Sequence, residues 1–173
     1  MHYQRSFQIG QEEATAFQLH QAFKTCCILS TVLALGGGAL CLFFLQWKNA
    51  TGAFTTGIMS FILFFVLVFF TVRSTISKQV ASLYEKGERK PYRQQVSVDG
   101  AGLEVRSGKK TKRIALSSLK QAVETRTHLY LYVSKDDAYI LPKAQMEDPE
   151  AEMETLRAIL REFMVEQSLH LKK

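Results

Sequence analysis

The spacing of apolar and polar positions divides the chain into three regimes. From His2 to Ile9 the sequence alternates, with Tyr3, Arg5, Phe7 and Ile9 on one side and Gln4, Ser6 and Gln8 on the other, as in a short strand. Gly10 breaks the alternation. Gln11-Glu12-Glu13-Ala14 then opens a helix whose acids sit in the first turn, where the helix dipole favours them. Phe17, Ala22 and Phe23 give this helix a weak apolar face, and residues 1–24 are expected to form a strand and a connector helix leading into the second regime.

The second regime, residues 25–72, contains one charged residue, Lys48. Thr25–Trp47 is a run of 23 uncharged residues and Asn49–Val72 a run of 24. About 20 apolar residues in a helix cross a hydrocarbon core, so each run is long enough to span. The polar cluster between them, Gln46 to Gly52, carries an interfacial Trp and a turn-forming Gly. The pattern predicts a two-helix transmembrane hairpin, about 25–46 and 55–73, joined by a short external loop. A buried hairpin in a soluble core is the alternative, and runs past about 18 uncharged residues disfavour it. Ser30, Ala34 and Gly38 recur every four residues in the first run, the spacing that lets two helices approach closely in lipid. Their expected partner is the second run of the same chain; a homodimer through this face is the alternative.

Beyond residue 73 the period changes again. A basic juxtamembrane linker, 74–91, continues the helix until Pro91 ends it, and a tail domain, 92–168, begins near Tyr92. Gln95–Val98, Leu103–Arg106, Thr111–Leu116, Ala122–Thr127, Leu129–Val133 and Ala138–Leu141 read as strands. Asp99-Gly100 with Gly102, Ser107 to Lys110, and Ser134 to Asp137 read as turns. Six short antiparallel strands predict a strongly curved sheet or open barrel. Asp148-Pro149-Glu150 reads as an N-cap, a proline at the first helical position and an acid in the first turn. The helix is expected to reach about Gln167, with Met153, Leu156, Ile159, Leu160, Phe163 and Met164 on one face. The fold class that follows is an α+β membrane protein in which a transmembrane hairpin carries a curved antiparallel sheet capped by a C-terminal helix.

Charge fixes the orientation of this picture. From Arg73 onward there are 19 Lys/Arg and 14 Asp/Glu, whereas the loop between the apolar runs offers only Lys48. The positive-inside rule therefore places both termini in the cytoplasm, in a multi-pass inner-membrane protein. The apolar run starts too late and is too long for a cleaved signal peptide, so none is expected. No Asp, Glu, Lys, Arg or His lies within either run, which argues against a channel, pump or transporter acting alone and against an intramembrane enzyme that uses carboxylates or histidine.

Candidate chemistry is sparse. His2, His20, His128 and His170 are scattered and lack Cys or carboxylates at metal-ligand spacing. Cys26, Cys27 and Cys41 all fall in the first apolar run and define neither a disulfide framework nor a metal site. No nucleophile elbow or phosphate loop is present, so no catalytic residue, metal or cofactor is assigned. Tyr130 and Tyr132 share one strand face and read as packing residues. The best binding candidate is the basic hairpin tip Lys109, Lys110, Lys112 and Arg113, facing anionic lipid headgroups or a protein partner. No aromatic platform interleaves with these bases, so nucleic acid is not expected.

Several stretches resemble the YcxB-like family of small bacterial membrane proteins. Val96 to Leu103 is similar to that family's strand, Asp-Gly turn and strand. Ile114 to Thr125 resembles its "I-x-W-x-x-I-x-x-V-x-E-T" stretch, with Leu116 in place of the usual aromatic residue. Leu129–Val133, followed by Tyr139-Ile140-Leu141-Pro142-Lys143, resembles its strand pair ending in Leu-Pro-Lys. The resemblance implies a tail similar to pleckstrin-homology-like folds, with the N-terminal strand available to pair with it, and supplies no catalytic residues. The expected function is a membrane-anchored, non-enzymatic interaction module for an unidentified protein partner. The alternative is an accessory or regulatory subunit of a membrane transport or export complex.

Overall fold

The computed structural model describes residues 2–44, 50–100, 102–164 and 168–171, with the backbone alone described at some positions of the two long helices. The chain forms two compact units. One combines residues 1–13 with 89–173, and the other comprises residues 14–88.

In the first unit, the alternation at the N-terminus becomes strand β1 (His2–Ile9). It pairs antiparallel with β2 (Tyr92–Asp99) along its whole length, from His2 opposite Asp99 to Ile9 opposite Tyr92. β3 (Gly102–Ser107) and β4 (Lys110–Ile114) continue the sheet in the order β1-β2-β3-β4. The register places Tyr3, Phe7, Val96, Val98, Leu103 and Val105 on one buried face, as the period-two pattern requires. The β2–β3 turn is closed by Asp99, whose Oδ1 accepts from the Gly102 backbone N–H at 2.9 Å. Gly102 has φ 150, and a Cβ there would meet the Ile114 carbonyl oxygen at 2.6 Å, so the turn and the neighbouring strand both require glycine.

The expected single curved sheet is in fact two sheets. After a 3-10 turn at Leu116–Ser118 the chain builds β5 (Gln121–Glu124), β6 (His128–Tyr132) and β7 (Ala138–Pro142). A two-residue strand near the C-terminus, β8 (Leu169–His170), pairs parallel with β5 and completes the order β7-β6-β5-β8. The break falls at Leu116, which turns inward to 3% exposure and ends the strand expected to run through it. The two sheets are tied by buried Gln94 on β2, whose Nε2 donates to the Ile140 carbonyl on β7.

The capping helix, which we number α3, spans Pro149–Phe163. Asp148 caps it, accepting from the backbone N–H groups of Glu150 and Ala151 at 3.2 and 3.1 Å. Met153, Leu156, Ile159 and Leu160 are fully buried, each stabilising the packed state by roughly 2 kcal/mol. The helix ends earlier than expected. Phe163 is exposed rather than buried on the apolar face, and its ring lies over Gly100, 3.2 Å from where a Cβ would stand.

The second unit holds the helices α1 (Gln11–Phe44, whose first turn belongs to the other unit) and α2 (Ala50–Glu85). One helical stretch among the described residues, Phe61–Glu85, is long and apolar enough to cross a membrane, and its most apolar part is not buried. Phe61, Phe65 and Phe69 stack at i, i+4 spacing, with centroids 6.1 and 6.3 Å apart. The expected first span lies on α1. Of the expected loop, Ala50, Thr51 and Gly52 already belong to α2, so the second helix starts earlier than expected; residues 45–49 and the side chains of Ser30, Ala34 and Gly38 lie outside the described residues. α2 stops at Glu85 instead of continuing to Pro91. Gly87, at φ 72, takes the left-handed position that ends a helix, and its N–H bonds the Tyr84 carbonyl at 3.1 Å.

Two substitutions test these local causes. Gly102→Ala should destabilise the protein by about 2 kcal/mol, because the obstructing atom is backbone. Asp148→Ala should cost about 1 kcal/mol by freeing two helix donors. Urea unfolding of the detergent-solubilised chain measures both.

Candidate functional site

Two features of the first unit carry charge in an organised way, one exposed and one buried. The exposed one is the predicted basic tip. A two-residue turn, Gly108-Lys109, joins β3 to β4, with Gly108 left-handed at φ 58. Lys110 and Lys112 face the same side as Ser107 and Val105, while Arg113 lies opposite Glu104 on the other side. All four predicted bases are brought together at one edge of the sheet, and all are exposed. Among the described residues, no ion pair engages any of them.

The buried feature centres on Glu124, at the end of β5. Its side chain is fully buried. Arg157 of α3 grips it with a two-pronged contact, Nε to Oε2 at 2.8 Å and Nη2 to Oε1 at 2.7 Å. Lys143, just after β7, donates to Oε1 at 2.6 Å and to the Thr125 carbonyl at 2.9 Å. The paired carboxylate raises the Arg157 pKa, chiefly through the hydrogen bond. One carboxylate therefore joins β5, the end of β7 and α3. Above the cluster lies a cavity of about 930 Å³, with Arg126, Met153 and Arg161 among its lining residues. Both Glu124 oxygens are engaged by cations, and Glu150 and Glu154 of α3 also line the cavity.

A second ion cluster fixes the N-terminal strand. Arg5 contacts Glu147 at 3.0 Å and Glu152 at 3.8 Å. Tyr3 donates its hydroxyl to Glu152 at 2.9 Å, and burial pushes the Tyr3 pKa up. On β6, His128 stacks on Tyr130 with ring centroids 5.6 Å apart and shares a 2.8 Å hydrogen bond with Thr127. Burial is the main cause that lowers the His128 pKa, and it pushes that of Tyr130 up to about 12. Tyr130 and Tyr132 are packed side chains, as their shared strand face predicts.

Sequence reasoning singled out the basic tip and missed the Glu124 cluster. Its signal was present in two resembling motifs, Glu124-Thr125 and Leu141-Pro142-Lys143, which were read as strand ends. Arg157 also had one: it lies four residues after Met153 and three before Leu160, at the margin of the apolar stripe. Among the described residues, no group of three or more His, Cys, Asp or Glu side chains is placed to hold a metal ion.

Comparison with known proteins places a family on this region. The model of the family described as YcxB-like protein matches residues 98–160, from the end of β2 through most of α3. The matched stretch contains the basic tip, Glu124, Lys143 and Arg157. No curated protein and no solved structure matches the chain.

The ion cluster predicts a steep mutational response. Arg157→Ala leaves a buried carboxylate half-paired and should cost about 3 kcal/mol in urea unfolding, whereas exposed Arg126→Ala should stay within about 0.5 kcal/mol. The sign for His128 is also fixed. Above pH 6.5, its ordinary pKa, both folded and unfolded states are neutral. Below it, the unfolded chain binds a proton that the folded chain excludes, so stability falls with pH down to the depressed folded pKa. His128→Phe, which keeps the stack on Tyr130, should flatten that slope in melts between about pH 6.5 and 5.

Proposed function

We propose that the chain is a membrane-anchored, non-enzymatic interaction module. The observation that carries this reading is the Phe61–Glu85 helix. Its first half, residues 61–72, carries no charged residue, and large side chains there, including Ile62, Leu63, Leu67 and Phe70, are exposed. Exposing so much apolar surface to water is unfavourable, and a lipid environment removes that cost. In this reading both apolar runs span, the termini lie on the cytoplasmic side, and α2 leads through a short turn to β2. The unit built from residues 1–13 and 89–173 is then a pleckstrin-homology-like domain held at the inner membrane face. Two four-stranded sheets and a single helix near the C-terminus support that likeness. The exposed bases Lys109, Lys110, Lys112 and Arg113 support binding as the role of the unit. Tethering raises the effective concentration at the membrane, so modest contacts suffice for function.

Alkaline carbonate extraction tests the anchor. The wild-type chain should stay in the membrane pellet. Leu63→Lys with Leu67→Lys should release it or trigger its degradation, since each lysine near the span centre costs about 3 kcal/mol on insertion. Recovery of the wild-type chain in the carbonate supernatant would contradict the reading.

A further inference from the structure

Among the described residues the two sheets end at β1, β4, β7 and the two-residue β8, and these edges are not equally open. At β1, the Gln145 side chain acts as a one-residue strand partner for Gln8, accepting from its N–H at 2.7 Å and donating to its carbonyl at 2.9 Å. At β7, the Ile140 carbonyl accepts from Gln94. At β5, the two-residue β8 covers Ala122 and Val123. β4 differs: Lys110, Thr111, Lys112 and Arg113 are all exposed.

The ladder decides which backbone groups are open there. Ser107 and Lys110 close a two-residue hairpin, so this pair exchanges both its bonds and the pairs alternate from it. Lys110, Lys112 and Ile114 direct their backbone groups to β3. The N–H and C=O of Thr111 and Arg113 therefore face outward. Cationic side chains flank this row on both sides of the strand, Lys110 and Lys112 on one face and Arg113 on the other.

Lysines on an edge discourage pairing with a like strand, because a second copy of β4 brings cation against cation. The same array favours a strand of opposite charge. An anionic lipid surface matches the charge and leaves the open backbone row unused.

We propose that β4 is a docking edge for an acidic, extended segment of a partner protein. The segment adds as a fifth strand beyond β4, with its backbone bonded to Thr111 and Arg113 and alternate acids facing Lys110 and Lys112. This deepens, and rests on, the reading of the chain as an interaction module.

The test uses the full chain in phosphatidylcholine nanodiscs and a blocked, fluorescent peptide of alternating Glu and Val. The peptide should bind, and a copy N-methylated on alternate backbone amides should not. Thr111→Pro removes an outward N–H without touching the β3 ladder, and should weaken peptide binding about tenfold while leaving binding to phosphatidylglycerol vesicles unchanged. Lys110→Glu with Lys112→Glu should weaken both. Equal binding of the N-methylated peptide, or wild-type affinity in Thr111→Pro, would overturn strand addition in favour of charge alone. Binding to the vesicles without binding to the peptide would overturn it in favour of a lipid surface, with the interaction-module reading intact. Peptide binding by a chain that carbonate extracts supports the edge and counts against the anchor.

Discussion

The tail domain depends on one buried carboxylate. Glu124 lies on β5, in the face that also carries Ala122, Leu129 and Leu131, and it is held by Arg157 from α3 and Lys143 from the end of β7. Taking a carboxylate out of water costs several kcal/mol, and attraction to two cations with three hydrogen bonds offsets that cost only if the geometry is kept. The consequence is positional. α3 has one angular setting in which Arg157 reaches Glu124 with both prongs, and the same setting buries Met153, Leu156 and Leu160. An apolar contact in that place would tolerate rotation of the helix, and the ion pair does not.

Charge in this domain is divided by burial. Glu124 is fully buried between Lys143 and Arg157 and Glu152 is half-buried beside Arg5, while Glu147 meets Arg5 at the surface; together these pairs tie β1 and α3 to the unit. The bases of the β3–β4 hairpin are left outside. These pairs match three acids with three bases, so the positive charge of the exposed edge comes from its own Lys109, Lys110, Lys112 and Arg113. In the proposed reading, this edge is the surface that an acidic partner would meet.

Much of the fold was legible in the sequence because its signals are local. The alternation from Tyr3 to Ile9, the Asp99–Gly102 turn and the Asp148-Pro149 cap each specify their conformation within a few residues, and the structure places each where its chemistry predicts. The division into two sheets was not legible, since it turns on Leu116 leaving a strand pattern to be buried by distant residues. β8 was also missed: two residues have no periodicity, and a parallel pairing is decided by where α3 delivers the chain. Helix ends were displaced for the same reason, with Gly87 rather than Pro91 ending α2. In the candidate site, the exposed bases were legible as a cluster in sequence. The buried cluster was not, because Glu124, Lys143 and Arg157 are separated along the chain and each looks like a surface residue until the fold joins them.

The proposed tethering requires the basic hairpin to lie on the cytoplasmic side of the membrane. The direct measurement is labelling of single cysteines, placed at Lys48 or at Lys109 in a background free of native cysteine, with a membrane-impermeant maleimide on intact cells. The account predicts that the Lys48 position labels from outside, and that the Lys109 position labels only after the membrane is permeabilised. Labelling of the Lys109 position in intact cells, or protection of the Lys48 position before and after permeabilisation, would contradict it.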